Sequence, residues 1–172
     1  MDETLAQAVG AEAGRELGEA FGRIRHCLVQ LTDEQIWWRP AAGMNSVGNL
    51  VLHLCGNLGQ WVVAGLGGAA DTRNRPAEFA ERGPIPRAEL LGRLEEVVGR
   101  SRAVLGSMTE EALLKPRRIQ GWEVTGLRAV FSSVPHFRGH TQEIIHLTRA
   151  QLGDRYKFAW VPQTPEQGAT PF

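Results

Sequence analysis

A chain of 172 residues has room for one domain and can bury a core without disulfides or a structural metal. Hydrophobic residues make up 42% and charged residues 22%, the balance of a folded globular protein and not of a disordered one. With 19 Lys and Arg against 19 Asp and Glu there is no net charge, so no overall basic field draws in a nucleic acid or an anionic membrane surface.

In chain order, the first predicted helix carries Leu5, Val9, Leu17, Phe21, Ile24, Leu28 and Leu31 as one apolar stripe. The first twenty residues are charged and amphipathic, without the apolar core of a secretory signal. Next comes Leu31-Thr-Asp-Glu-Gln-Ile-Trp-Trp-Arg-Pro40, a short helical turn with a threonine cap and acidic residues at its start. A second long helix is expected from Ser46 to Leu66, with Val47, Leu50, Val51, Leu54, Leu58, Trp61 and Val62 on its apolar side. Its longest apolar run, around Leu50–Leu54, is far too short to span a bilayer. Cys27 and Cys55 fall in apolar helical contexts, which suits free thiols and, with the missing signal, a cytoplasmic protein.

Residues 67–86, with Gly67, Gly68, Asp71 and Pro76, read as a long flexible loop. The third helix follows Pro86 with Leu90, Leu91, Leu94, Val97, Val98, Val104 and Leu105. Met108-Thr-Glu-Glu-Ala-Leu-Leu-Lys-Pro116 then repeats the earlier short turn, and a glycine-bearing loop and a hydroxyl cap follow each copy (Gly43 and Ser46; Gly121 and Thr125). The fourth long helix runs from Thr125 to Leu152 and stops at Gly153. No period-two alternation is long enough to predict a sheet. The expected fold is therefore all-α: a four-helix bundle over residues 1–154, built as two helix pairs with a long crossover between its second and third helices. Residues 155–172 form an extended tail that packs through Tyr156, Phe158 and Trp160 before its prolines lead to a disordered end.

The chemistry lies in the histidines. His136 and His140 are four residues apart, ~40° around a helix and one turn above each other, the spacing at which two imidazoles share an ion. His53 lies on the corresponding helix of the other half, on a face that continues to Asn57 and Gln60 instead of to leucines. Each histidine also has an ordinary reading, as a surface residue or as a core imidazole bonded to a carbonyl. Their joint placement on matching helices favours a shared divalent metal. Glu143 is three residues beyond His140, where it suits a further ligand, a partner orienting a ligand, or a general base. His146 points off the pair's face, and neither it nor His26 is expected to be a ligand. Pro135 bends the last helix, either to follow the bundle's curvature or to aim His136. The five tryptophans suit packing at helix ends better than a binding role.

The helix Asn49-Leu-Val-Leu-His53-Leu and the run His136-Phe-Arg-Gly-His140-Thr-Gln-Glu-Ile-Ile resemble the DinB/YfiT-like superfamily of small bacterial metal-binding bundles. The likeness extends over most of the chain, including the Leu31–Pro40 turn and Gln120-Gly-Trp-Glu-Val-Thr125. It implies up-down-down-up topology, a three-histidine site for zinc or nickel, and a homodimer. It also implies chemistry of the kind found in thiol-dependent S-transferases and a mycothiol-dependent maleylpyruvate isomerase. One departure is that the family often has glutamine where this chain has Glu143, its own glutamine being Gln142.

Three neutral imidazoles leave a divalent ion with open positions, which can activate water or hold a thiolate. The leading expectation is a metal-dependent S-transferase acting with a low-molecular-weight thiol on a small-molecule substrate. The others are a hydrolase with Glu143 as general base and a non-catalytic bundle whose metal is structural or sensed.

Overall fold

The computed structural model describes residues 3–160 and is mostly helical. Four long elements build the bundle: α1 (Leu5–Leu28), α3 (Val47–Leu58), α5 (Arg87–Gly106) and α7 (Gly126–Leu152). The two repeated turns are the short helices α2 (Asp33–Trp37) and α6 (Glu110–Leu114), and a further short helix, α4 (Arg75–Ala80), lies in the long connection. The caps are those expected. The hydroxyls of Thr32, Ser46, Thr109 and Thr125 each accept from a backbone N–H three residues on, satisfying donors the helix leaves free.

Close approaches between helices give the directions. Gly10 near the start of α1 meets Leu105 at the end of α5, and Gly14 meets Arg102, so these helices are antiparallel. Val9 shares a groove with Val130, while Gln30 at the other end of α1 bonds Lys157 beyond α7, so α1 and α7 are parallel. Cys55 and Arg93 line one cavity and Gly67 touches Val104, so the chain through α3 runs parallel to α5. The order is up-down-down-up. It also explains the long crossover: parallel neighbours require the chain to travel back along the bundle before the next helix can start.

Leu17, Ile24, Leu50, Leu54, Leu94, Phe137 and Ile144 meet at the centre with no exposed surface. Burying each such side chain is worth roughly 1.5–3 kcal/mol. Three buried hydroxyls on α7, those of Ser133, Thr141 and Thr148, donate back to carbonyls one turn earlier at 2.8 Å, so none needs a partner across the core.

Three features differ from the sequence reading. The second long helix is not one α-helix: after Leu58 it widens into a π-helical turn, Gly59–Ala64, with Gly65 N–H donating to Gln60 O at 2.9 Å. A two-stranded antiparallel hairpin, β1 (Pro116–Ile119) and β2 (Trp122–Thr125), precedes α7. Its two-residue turn has Gln120 at φ 53° and Gly121 at φ 85°, the left-handed pair that suits the twist of a tight hairpin. Strands of four residues are too short to show alternation. Finally, the 67–86 connection is a built strap. Asn49 Nδ2 donates to Glu78 O (2.8 Å) and Glu81 O (3.0 Å), Arg39 donates to Glu81 O, and Trp37 Nε1 donates to Ile85 O.

Helix α7 continues through Pro135, which sits on its exposed side. In the tail, Tyr156 packs against the core and Lys157 N–H donates to Gln30 Oε1 at 2.8 Å. His26 Nε2 lies 2.6 Å from Lys157 O, so this histidine anchors the chain end. The expected disordered end falls in 161–172, outside the described residues.

Candidate metal centre

Helices α3 and α7 face each other in antiparallel register, which brings His53 opposite both His136 and His140. One nitrogen from each of the three rings falls within 4.8 Å of the others, and the cluster could hold a metal ion. His53 is buried and the other two are half-buried, so the cluster sits at the edge of the core with one side open. Ligand atoms ~2.0–2.1 Å from a zinc ion in a tetrahedron are roughly 3.4 Å apart, so the three rings fit such an ion after small shifts.

The tautomers follow from the partners. His53 Nδ1 lies 2.9 Å from Glu78 Oε2, and His140 Nδ1 lies 2.8 Å from Glu143 Oε2. A carboxylate only accepts, so the Nδ1 of His140 carries the proton. The Nδ1 of His53 also lies 3.1 Å from Arg73 Nη2, which only donates, and the shorter Glu78 contact favours the proton there too, leaving each Nε2 lone pair for the cluster. His53 Nε2 meets His136 Nε2 at 3.0 Å, a distance at which one nitrogen must lend a proton to the other. A divalent ion would take that proton's place. Carboxylate–imidazole pairs of this kind fix ring orientation and raise ligand basicity.

Glu78 was not foreseen as part of the site. Burial raises the cost of its charge, but hydrogen bonds from Arg73 and His53 outweigh this and hold its carboxyl below the usual range. Arg73 donates from Nε to Oε1 (2.7 Å) and from Nη2 to Oε2 (2.9 Å), and its Nη1 donates to Gln60 Oε1. Gly56 makes this approach possible: a Cβ there would lie 1.9 Å from Glu78 Oε1. His136 is held down to about 4, first by burial and then by repulsion from His140, His53, Arg73 and Arg75, so it is neutral and ready to donate a lone pair at pH 7.

Beside the cluster lies a cavity of about 260 Å³ whose lining includes His53, His136, Asn57, Trp61, Arg75 and Gln120. Trp61 comes from the π-helical turn and Gln120 from the hairpin tip, and the two are joined by a 2.9 Å bond from Trp61 Nε1 to Gln120 Oε1. Trp61 is thus part of the site's wall, whereas Trp37 packs against Gly48 and Gly83 as expected. His146 is exposed and outside the cluster, and His26 is occupied at the tail. Both cysteines are free, and neither belongs to the cluster. Burial pushes the Cys55 thiol up to about 12 and raises that of Cys27, so neither offers a thiolate near neutral pH.

The up-down-down-up bundle has a DinB-like fold, as likeness to solved structures shows. The chain superposes on a conserved protein from Enterococcus faecalis with a TM-score of 0.69 at 20% identity, covering 80% of this chain and 93% of that one. It superposes on a DinB-like protein from Bacillus cereus with a TM-score of 0.60 at 16% identity, covering 77% and 85%. At such identities the likeness is one of fold. Residues 14–165 match the family described as a protein of unknown function, DUF1572, and the chain belongs to that family. None of the curated proteins compared with it matches. Among the described residues no helix is long and apolar enough to cross a membrane.

Proposed function

We propose that this protein is a cytoplasmic, divalent-metal-dependent transferase that acts on a low-molecular-weight thiol, with His53, His136 and His140 as ligands to zinc or nickel. The observation that carries the reading is that one nitrogen from each of the three rings lies within 4.8 Å of the others beside one small cavity, with the Nδ1 atoms of His53 and His140 held by carboxylates. Such an ion, with three neutral ligands and an open side, supplies Lewis acidity that favours a bound thiolate over a thiol. The chain's own residues hold the rings, exclude bulk water from one side and present Trp61 and Gln120 to the cavity. The thiol would have to come from a small molecule, because both of the chain's cysteines are held protonated.

Glu143 is better used as a positioning residue than as a general base. Its carboxylate sits on the Nδ1 of His140, the ring atom that faces away from the cluster. The hydrolase reading needs that same carboxylate free to take a proton from water. A homodimer is part of the proposal, with exposed Phe131 on α7 beside Val9 on α1, and exposed Leu127 four residues before Phe131, as the apolar face a second copy would cover. Reconstitution with zinc or nickel and assay with small thiols and an electrophile tests the activity. Metal-dependent loss of free thiol is expected, and its absence with every common cellular thiol would end the reading.

A further inference from the structure

The cavity beside the histidines has a chemical character that the metal alone does not set. Its lining includes Arg73 and Arg75 and not a single Asp or Glu. Arg73 is committed to Glu78, but Arg75 makes no ion pair with any described residue; its guanidinium only lies 4.9 Å above the Phe79 ring. The lining also includes Asn57, which is 9% exposed and whose side chain makes no hydrogen bond among the described residues; its Oδ1 is a buried acceptor without a partner. Buried amides are normally satisfied, so an idle one on a cavity wall points to a ligand that completes it. Gln120 adds a free amide nitrogen, its oxygen being held by Trp61. A cation on the strap, an unpaired amide on α3 and a volume of about 260 Å³ together describe a binding site for a small anion with a polar middle.

Building on the thiol reading above, we infer that the substrate is a thiol bearing a carboxylate and an amide, its carboxylate on Arg75 and its amide against Asn57. The thiol would occupy the open side of the metal, so the two side chains select among thiols without touching the reacting sulfur. Arg75 and Asn57 are therefore specificity-determining residues in this account.

The test is binding to the cobalt(II)-substituted protein, followed by the sulfur-to-cobalt absorption band. 3-Mercaptopropionate should bind about 10-fold more tightly than 3-mercapto-1-propanol at low salt, as expected for one charge-assisted contact. Arg75→Gln, a change at an exposed side chain, should bring the two within about 2-fold while leaving the cobalt spectrum unchanged. N-acetylcysteine should gain a further ~3-fold from its amide, a gain that Asn57→Leu removes. Equal affinity for the two mercaptans, or a preference that survives Arg75→Gln, overturns the inference and leaves the metal site standing. Failure to bind cobalt at all overturns the metal reading, and this inference with it.

Discussion

The two sides of the histidine cluster are built in opposite ways. On α7 everything is local: His136, His140 and the supporting Glu143 lie within eight residues of one helix, and both rings are half-buried. On α3 the single buried ring of His53 is oriented by Glu78, 25 residues away, which is held by Arg73, given space by Gly56 and tied down through its carbonyl by Asn49. The comparison teaches that one half of the site is set by helix periodicity and the other by how the strap docks. The α3 half should therefore be tied to global stability, and the α7 half should not.

The sharpest way to break this contrast is Glu78→Ala. Arg73, 3% exposed, would be left as an unpaired cation in the wall, and losing one partner of such a pair costs roughly 3–5 kcal/mol. Urea unfolding of the apo-protein measures it; a loss below about 1 kcal/mol would show that the strap stands without this pair. A subtler probe is Gly56→Ala, which puts a methyl group where Glu78 Oε1 now sits. We expect metal affinity to drop on the order of 10- to 100-fold with the helical content retained, as when other partners of metal-ligating histidines are lost. Competition against a chelating dye reads this directly, and unchanged affinity would remove Glu78 from the site.

The α7 side should respond less. Glu143→Ala is expected to weaken metal binding by about 10-fold, because water can reach the half-exposed His140 Nδ1, while Glu143→Gln keeps an acceptor there and stays near the native value. A hydrolase with Glu143 as its base predicts the same metal content for Gln but no turnover, whereas a positioning role predicts that both are kept.

The pH dependence is smaller still and has a definite sign. His136 is held at about 4 against its ordinary 6.5, so the unfolded chain takes up this proton first. Its contribution to the apo-protein's stability is complete above pH 6.5 and is lost as pH falls from 6.5 towards 4. Below about 4.5 the depressed Glu78 adds a loss of the same sign. His136→Gln should flatten the upper part of that slope. At the bottom of the scale, His146→Ala should leave stability within ~0.5 kcal/mol and metal stoichiometry unchanged, since this ring is exposed and outside the cluster.

This contrast also marks what the sequence could show. Four long helices, their caps and the two repeated turns were legible because each rests on spacing within a dozen residues. So were His136 and His140, and so was His53 through the repeated helix pair. Glu78 and Arg73 were not, since their roles depend on the parallel packing of α3 and α5, which makes the strap run back past His53. Asn74 and Pro76 did mark a helix start there, Asn74 Oδ1 accepting from Ala77 N–H, and gave a reason to read residues 67–86 as more than a loop. The hairpin leaves little trace in the sequence because its strands are short and its turn puts Gln120, not a glycine, at the first left-handed position. The π-helical turn has no signal in periodicity, although it carries Trp61, which lines the cavity.

The central claim is that three histidines from two helices form one metal site. It is tested most directly by elemental analysis of the purified protein beside His53→Ala and the His136→Ala, His140→Ala double variant. The account predicts one equivalent of zinc or nickel in the native protein and none retained by either variant, with all three folded by circular dichroism. Metal retained at one equivalent in either variant, or a native protein that takes up none when reconstituted, would contradict it.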